Sequence, residues 1–223
     1  MIDGIALLTT FNEGMVDLSS PDRATIAGIT VEGPGVSTEL QNIITQEAVR
    51  IFEKHGLRAF DAPKEAAAIH EAGHTVLGSL LGKRIKRVRI KRHATKEAWL
   101  GLTEYYEQPV LDTPAKQLRE ARFIYAGVAA EMLFDPDFRE GSSIDEVAMS
   151  QMVAAQAALT LNVDQKAYWD AEVHYAVGNM LYPHKATLMK IAGHLLRDHK
   201  LKQPTLNRLL ASAMPAKAEA TAT

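Results

Sequence analysis

Residues 64–82 are the part of this chain that most restricts its fold. Lys64-Glu65 is followed by an almost unbroken apolar run to Leu81, closed by Gly82, and inside it stand His70-Glu71-Ala72-Gly73-His74. Asp61 and Pro63 are good residues for opening a helix, and Gly82 for ending one. The composition between them predicts a helix apolar on most sides, which belongs at the centre of a core. Two imidazoles and a carboxylate inside such a helix cost several kcal/mol unless they are paired or hold a metal.

The spacing is chemically specific. Residues four apart lie about 40° apart around a helix, so His70 and His74 project from one face and can bind one metal ion together. Glu71, beside the first His, can reach a water on that metal and take its proton. The pentapeptide arises by chance in on the order of one chain in a hundred of this length. The competing account is a pair of core histidines satisfied by neighbouring carboxylates.

A hydrolytic zinc site needs a third protein ligand and an open position for water. The sequence contains no cysteine, so the third ligand is Asp, Glu or His, and disulfides and thiol catalysis are excluded. Asp145 is the most attractive candidate. Ser143 and Glu146 have capping-box spacing, which puts Asp145 in the first turn of a helix. Its bland role there is to serve the helix dipole. Among the histidines outside the motif, His174 is the best placed to approach the site; His55, His93, His184, His194 and His199 carry less weight.

The rest of the chain frames this helix. Residues 1–37 are rich in Gly, Thr, Ser and Pro and predict a short strand or two, or an arm. Thr38 to Lys54 reads as a helix, with Leu40, Ile43, Ile44, Val49 and Phe52 near one stripe and Gly56 as its stop. After Gly82 the period changes. Ile85, Val88 and Ile90 alternate with basic residues through His93, and 98–106 is β-prone. Two or three strands joined by a turn near 93–97 are expected, with the basic residues on a solvated face. Helices follow at about 114–133, from Ser143 to about Leu161, near 164–181 and 184–198, and a shorter one near 204–212. The tail from Ala213 to Thr223 reads as disordered.

Charge sets further bounds. The chain has 25 Lys and Arg against 27 Asp and Glu, a formal net charge of −2. This gives no reason to expect nucleic acid or an anionic membrane as a general partner. Met1 to Leu8 lacks the basic start of a signal peptide, and no stretch approaches the ~18 uninterrupted apolar residues of a membrane span. A cytoplasmic protein is the expectation.

Taken together, residues 60–212 resemble the proteolytic domain of the FtsH family, the ATP-dependent zinc metalloproteases. His70-Glu71-Ala72-Gly73-His74, followed by Thr75-Val76-Leu77-Gly78, looks like that family's zinc helix. Ile85 to Pro109 is similar to its β-hairpin. Tyr125-Ala126-Gly127-Val128-Ala129-Ala130-Glu131 resembles its Gly-Gly-Arg-x-Ala-Glu-Glu helix, with Ala126-Gly127-Val128 where the family has Gly-Gly-Arg. Gly141-Ser142-Ser143-Ile144-Asp145 stands where the family has Gly-Ala-Ser-Asn-Asp, with Ile144 in place of Asn. The resemblance implies that Asp145 is the third zinc ligand, and that Glu131 is a carboxylate hydrogen-bonded to a zinc His. The 223 residues contain no G-x-x-x-x-G-K-S/T phosphate loop, so an ATPase module is not expected within them, and a separate ATPase or self-association would have to stand in for it.

The expected fold is mainly α with a small β-sheet, zincin-like. A central H-E-x-x-H helix would have a β-hairpin beside it and a helical bundle on the C-terminal side. Residues 1–58 form an arm and helix of no assigned role, 59–212 the peptidase domain, and 213–223 the tail. The expected activity is zinc-dependent hydrolysis of flexible or unfolded polypeptides, with an extended peptide pairing along the strand edge at Leu100–Tyr106. The rivals are a non-catalytic zinc-binding interaction module and hydrolysis of a non-peptide amide. Glu71 argues against the former, because a binding module has no chemical use for it.

Overall fold

A computed structural model of the chain describes residues 17–20, 23–26, 29–32, 63–94, 98–106, 110–134 and 144–211, with side chains for 63–94, 98–106, 110–134 and 146–211. The helix expected at 38–54, residues 95–97 of the turn expected near 93–97, and the tail lie outside these residues. The fold is mainly helical with small antiparallel sheets.

Near the N-terminus, β1 (Asp17–Ser20), β2 (Arg23–Ile26) and β3 (Ile29–Glu32) form an antiparallel meander in that order. The main body begins with α1 (Lys64–Leu80), entered through Pro63 in extended conformation without a side-chain cap. As the apolar run requires, α1 is central. Ala67, Ala68, Ala72, Val76 and Leu77 are buried, and with them Glu71, His74 and Thr75. It packs against α2, α6 and the β4–β5 hairpin.

Strand β4 (Ile85–Arg92) is the middle of a three-stranded antiparallel sheet in the order β5-β4-β6, with β5 (Trp99–Tyr105) and β6 (Lys200–Lys202) on its flanks. Val88 pairs with Thr103 and Leu201, and Ile90 with Gly101. The register shifts between Ile85 and Arg87. One extra residue there lets Ile85 and Val88, three apart, face the core together with Ile90. The intervening basic residues face outward, and Arg87 Nε donates to Glu104 Oε1 at 2.5 Å. The basic run is thus a strand face, as its alternation predicts. Strand β6 was not expected: Lys200-Leu201-Lys202 is too short to show a period, and it is a strand only because β4 offers a free edge after the chain turns at His199 (φ 56°).

Helix α2 (Pro114–Phe134) lies between α1 and α3 (Ile144–Leu161). Small residues let α1 and α2 approach closely. A Cβ on Gly73 would collide with the carbonyl oxygen of Ala126 and the Cβ of Ala130, and one on Gly127 with the His70 ring. Helix α3 is apolar nearly all round, with Val147, Ala148, Met152, Val153, Ala154 and Ala157 buried. Ser150 Oγ donates to Ala121 O at 2.9 Å and accepts from Trp169 Nε1 at 3.1 Å, tying three helices together.

The helix expected at 164–181 is three pieces on one path: α4 (Gln165–Trp169), a π turn (Asp170–Tyr175) and α5 (Ala176–Leu181). Asp164 caps it, accepting from Ala167 N at 2.7 Å. In the wide turn Arg122 Nε donates to Glu172 O at 2.6 Å, giving a partner to a carbonyl that the π geometry displaces. A 3₁₀ turn (Tyr182–His184) leads to α6 (Lys185–Asp198), and α7 (Gln203–Ala211) closes the described chain.

Candidate metal centre

The site is built on the buried face of α1. His70 and His74 have ring centroids 4.8 Å apart at 68°, and their Nε2 atoms lie 3.1 Å from each other. The other nitrogen of each ring has a partner from α2. His74 Nδ1 donates to the carbonyl oxygen of Phe123 at 2.9 Å, and His70 Nδ1 donates to Glu131 Oε1 at 2.6 Å. A carbonyl can only accept, so it fixes the His74 tautomer, and the carboxylate does the same for His70. Both Nε2 atoms therefore present lone pairs to one point.

A third donor comes from the first turn of α3. Glu146 Oε2 is 3.0 Å from His70 Nε2, and Oε1 is 3.4 Å from His74 Nε2. Oε2 is buried and makes no well-directed hydrogen bond. Among the described residues, His70, His74 and Glu146 are the group that could hold a metal ion, their donor atoms all within 4.8 Å of one another. Zinc bonded at about 2.0–2.1 Å to N and O in a tetrahedron has ligand–ligand edges of about 3.3 Å. The Nε2–Nε2 separation of 3.1 Å and the 3.0 Å from His70 Nε2 to Glu146 Oε2 are close to that value, while His74 Nε2 meets the other Glu146 oxygen at 3.4 Å, so the carboxylate presents one oxygen to each imidazole. The residues present fit a zinc ion.

The electrostatics point the same way. Glu71, Glu131 and Glu146 surround two imidazoles. Burial by itself would lower the His70 pKa, but the Glu146 and Glu131 carboxylates outweigh it and raise it well above the usual histidine value. Burial would likewise raise Glu146, yet the charges of His70 and His74 hold it far below the usual carboxylate range. A cluster that draws an extra proton to the point where its lone pairs meet has the charge to accept a dication there instead.

Phe123, whose carbonyl orients His74, is itself held in place. Its ring packs on His74 at 5.3 Å and on Tyr105 at 5.2 Å. Lys83 Nζ, paired with Glu120 Oε2 at 2.5 Å, lies 4.4 Å from the Phe123 ring and 4.3 Å from that of Tyr105. Burial, with Glu120 beside it, pushes the Tyr105 phenol up to about 12.

Glu71 leaves α1 on the side facing β5. Its Oε2 accepts from Thr103 Oγ1 at 2.6 Å, and its Oε1 packs on the open backbone of Gly101. Burial raises its pKa, against the pull of His74, His70 and Thr103 and with the help of Glu146.

The expected site residues thus fall as follows. His70, Glu71, His74 and Glu131 are brought together. Asp145 lies in the first turn of α3, but its side chain is outside the described residues. The capping-box expectation involves Ser143, which lies outside the described residues; the Glu146 carboxylate itself stands on the histidine pair. Glu146 and Thr103 escaped the sequence reading. Spacing cannot choose between adjacent carboxylates, and Thr103 reaches Glu71 only through the sheet register. His174 is not at the site. Its Nδ1 lies 2.7 Å from the Tyr125 hydroxyl, its ring stacks on Trp169, and burial lowers its pKa.

Glu131→Gln is expected to weaken zinc binding by about 10–100-fold while leaving a protein that still loads in excess zinc. The amide can keep a hydrogen bond but loses the charge that makes His70 a strong donor. Competition titration with a zinc indicator measures this, and unchanged affinity would show that Glu131 does not tune the ligand.

No protein-family model matches the chain, and no curated protein matches it.

Proposed function

We propose that this chain is a zinc-dependent peptidase domain of the FtsH-like type acting on flexible or unfolded polypeptide. The observation that carries this reading is the convergence of His70 Nε2, His74 Nε2 and the Glu146 carboxylate on one point, with the outer ring nitrogens already engaged. Zinc held there would polarise a scissile carbonyl and acidify a water. Beside it, Glu71 takes the proton from the attacking water and delivers it to the leaving amine. Burial makes its carboxylate a better base than an exposed one.

Strand β5 supports the substrate class. In the order β5-β4-β6 its outer edge carries no strand among the described residues. It lies directly against Glu71. An extended, unfolded segment can add to that edge by main-chain hydrogen bonds, with its peptide bonds carried past the base. A folded protein offers no such segment, so delivery by a separate unfolding ATPase belongs to the proposal. Among the described residues no helix is long and apolar enough to cross a membrane.

The test is metal removal and return. The purified protein should carry close to one zinc per chain and cleave an unfolded casein substrate. A chelator should abolish cleavage, and added zinc should restore it. Zinc-loaded protein that leaves every unfolded substrate intact would favour the non-catalytic reading. Activity indifferent to chelation would reject the metal.

A further inference from the structure

The strand expected to receive the peptide is also the strand that holds the base. Thr103 sits on β5 opposite Val88, so its side chain points inward toward α1. Its hydroxyl donates to Glu71 Oε2 at 2.6 Å. Two residues earlier on the same face, a Cβ on Gly101 would collide with Oε1, Cγ and Cδ of Glu71. The carboxylate therefore lies flat against β5, one oxygen held by Thr103 and the other lodged where Gly101 leaves room. The Glu71 backbone is fixed as well, its carbonyl accepting from Thr75 Oγ1 at 2.7 Å.

We propose that Thr103 is a positioning residue for Glu71: its hydroxyl occupies Oε2, fixes the plane of the carboxylate, and leaves Oε1 as the oxygen that accepts the proton. This rests on the peptidase reading above. A carboxylate has two oxygens of equal basicity and a freely turning terminal torsion. A single strong donor removes both freedoms, because a charge-assisted hydrogen bond selects one oxygen and one plane. The acidic proton of bound water must be met within hydrogen-bond reach, so a rotated carboxylate loses the reaction without losing the metal. Carrying base holder and peptide edge on one strand also couples them: a peptide that shifts β5 shifts Glu71 with it.

The experiment compares full-length Thr103→Val, Thr103→Ser and wild-type protein, each zinc-loaded. Valine keeps the shape and removes the donor, while serine keeps the donor. Thr103→Val is expected to bind zinc normally, keep KM near the wild-type value and lose kcat by up to about 10²-fold, the scale of a misplaced catalytic group. Thr103→Ser should recover most of the loss. A readout independent of activity is the carboxyl ¹³C resonance of Glu71 in glutamate-labelled protein, assigned by its absence in Glu71→Gln. It should move in Thr103→Val and return in Thr103→Ser. Wild-type kcat in Thr103→Val, an equal fall in both variants, or an unmoved resonance would overturn the assignment. A moved resonance in a protein whose wild type cleaves nothing would instead overturn the peptidase reading, and the catalytic role of Thr103 with it.

Discussion

Glu71→Gln is expected to leave the protein folded and zinc-loaded while lowering peptide hydrolysis by about 10²–10⁴-fold, the usual worth of a positioned general base. Glutamine has the length and shape of glutamate, so it can still pack against Gly101. Its amide oxygen can still accept the Thr103 hydroxyl that Oε2 accepts at 2.6 Å. It cannot take a proton at neutral pH. Removing this carboxylate also removes a buried negative charge beside His70 and His74, so zinc affinity should fall slightly at most. Metal analysis and a caseinolysis assay on the same preparation check both halves. A variant that cleaves at the wild-type rate would show that another group takes the proton. One that loses zinc together with activity would make Glu71 a ligand rather than a base.

How much of this was legible in the sequence depends on the range of the interaction. Helix α1 was readable because its signals are local: an apolar run, Pro63 at its start and Gly82 at its end. The β4–β5 hairpin was readable from alternation, although the bulge after Ile85 was not. A reader seeing Ile85, Val88 and Ile90 at spacings of three and two cannot tell a bulged strand from an irregular one. Strand β6 and the π turn at Asp170–Tyr175 exist because of distant partners, β4 for one and Arg122 for the other. The histidine pair and Glu71 could be read because a helix repeat fixes their geometry within five residues. Thr103 could not, because it meets Glu71 across 32 residues through a register that only the folded sheet defines. The chemistry of a site is local when one helix carries it, and the parts that aim it are not.

The choice between Asp145 and Glu146 shows where local reasoning ends. Adjacent residues on a helix point about 100° apart, so at most one of them heads the donor set. On an amphipathic helix the buried stripe would decide, but α3 is buried nearly all round. Ala148, Met152 and Gln156 follow the phase of Asp145; Ser150, Val153 and Ala157 follow that of Glu146, and all six are buried. What fixes the phase is a contact with α2: Ser150, one turn after Glu146, donates to Ala121 O. That bond turns the Glu146 side of α3 toward α2, and Glu131 and the histidines lie along the α1–α2 seam. Glu146→Gln is therefore expected to remove most of the zinc, with a loss of affinity well beyond the about 10–100-fold of an outer partner such as Glu131. A neutral amide is a poor zinc ligand, and two imidazoles alone hold the ion weakly. Asp145→Asn should keep the metal. Parallel zinc titrations of the two variants separate the possibilities. The reverse result, tight binding in Glu146→Gln and loss in Asp145→Asn, would give the third position to Asp145, as the FtsH resemblance implies.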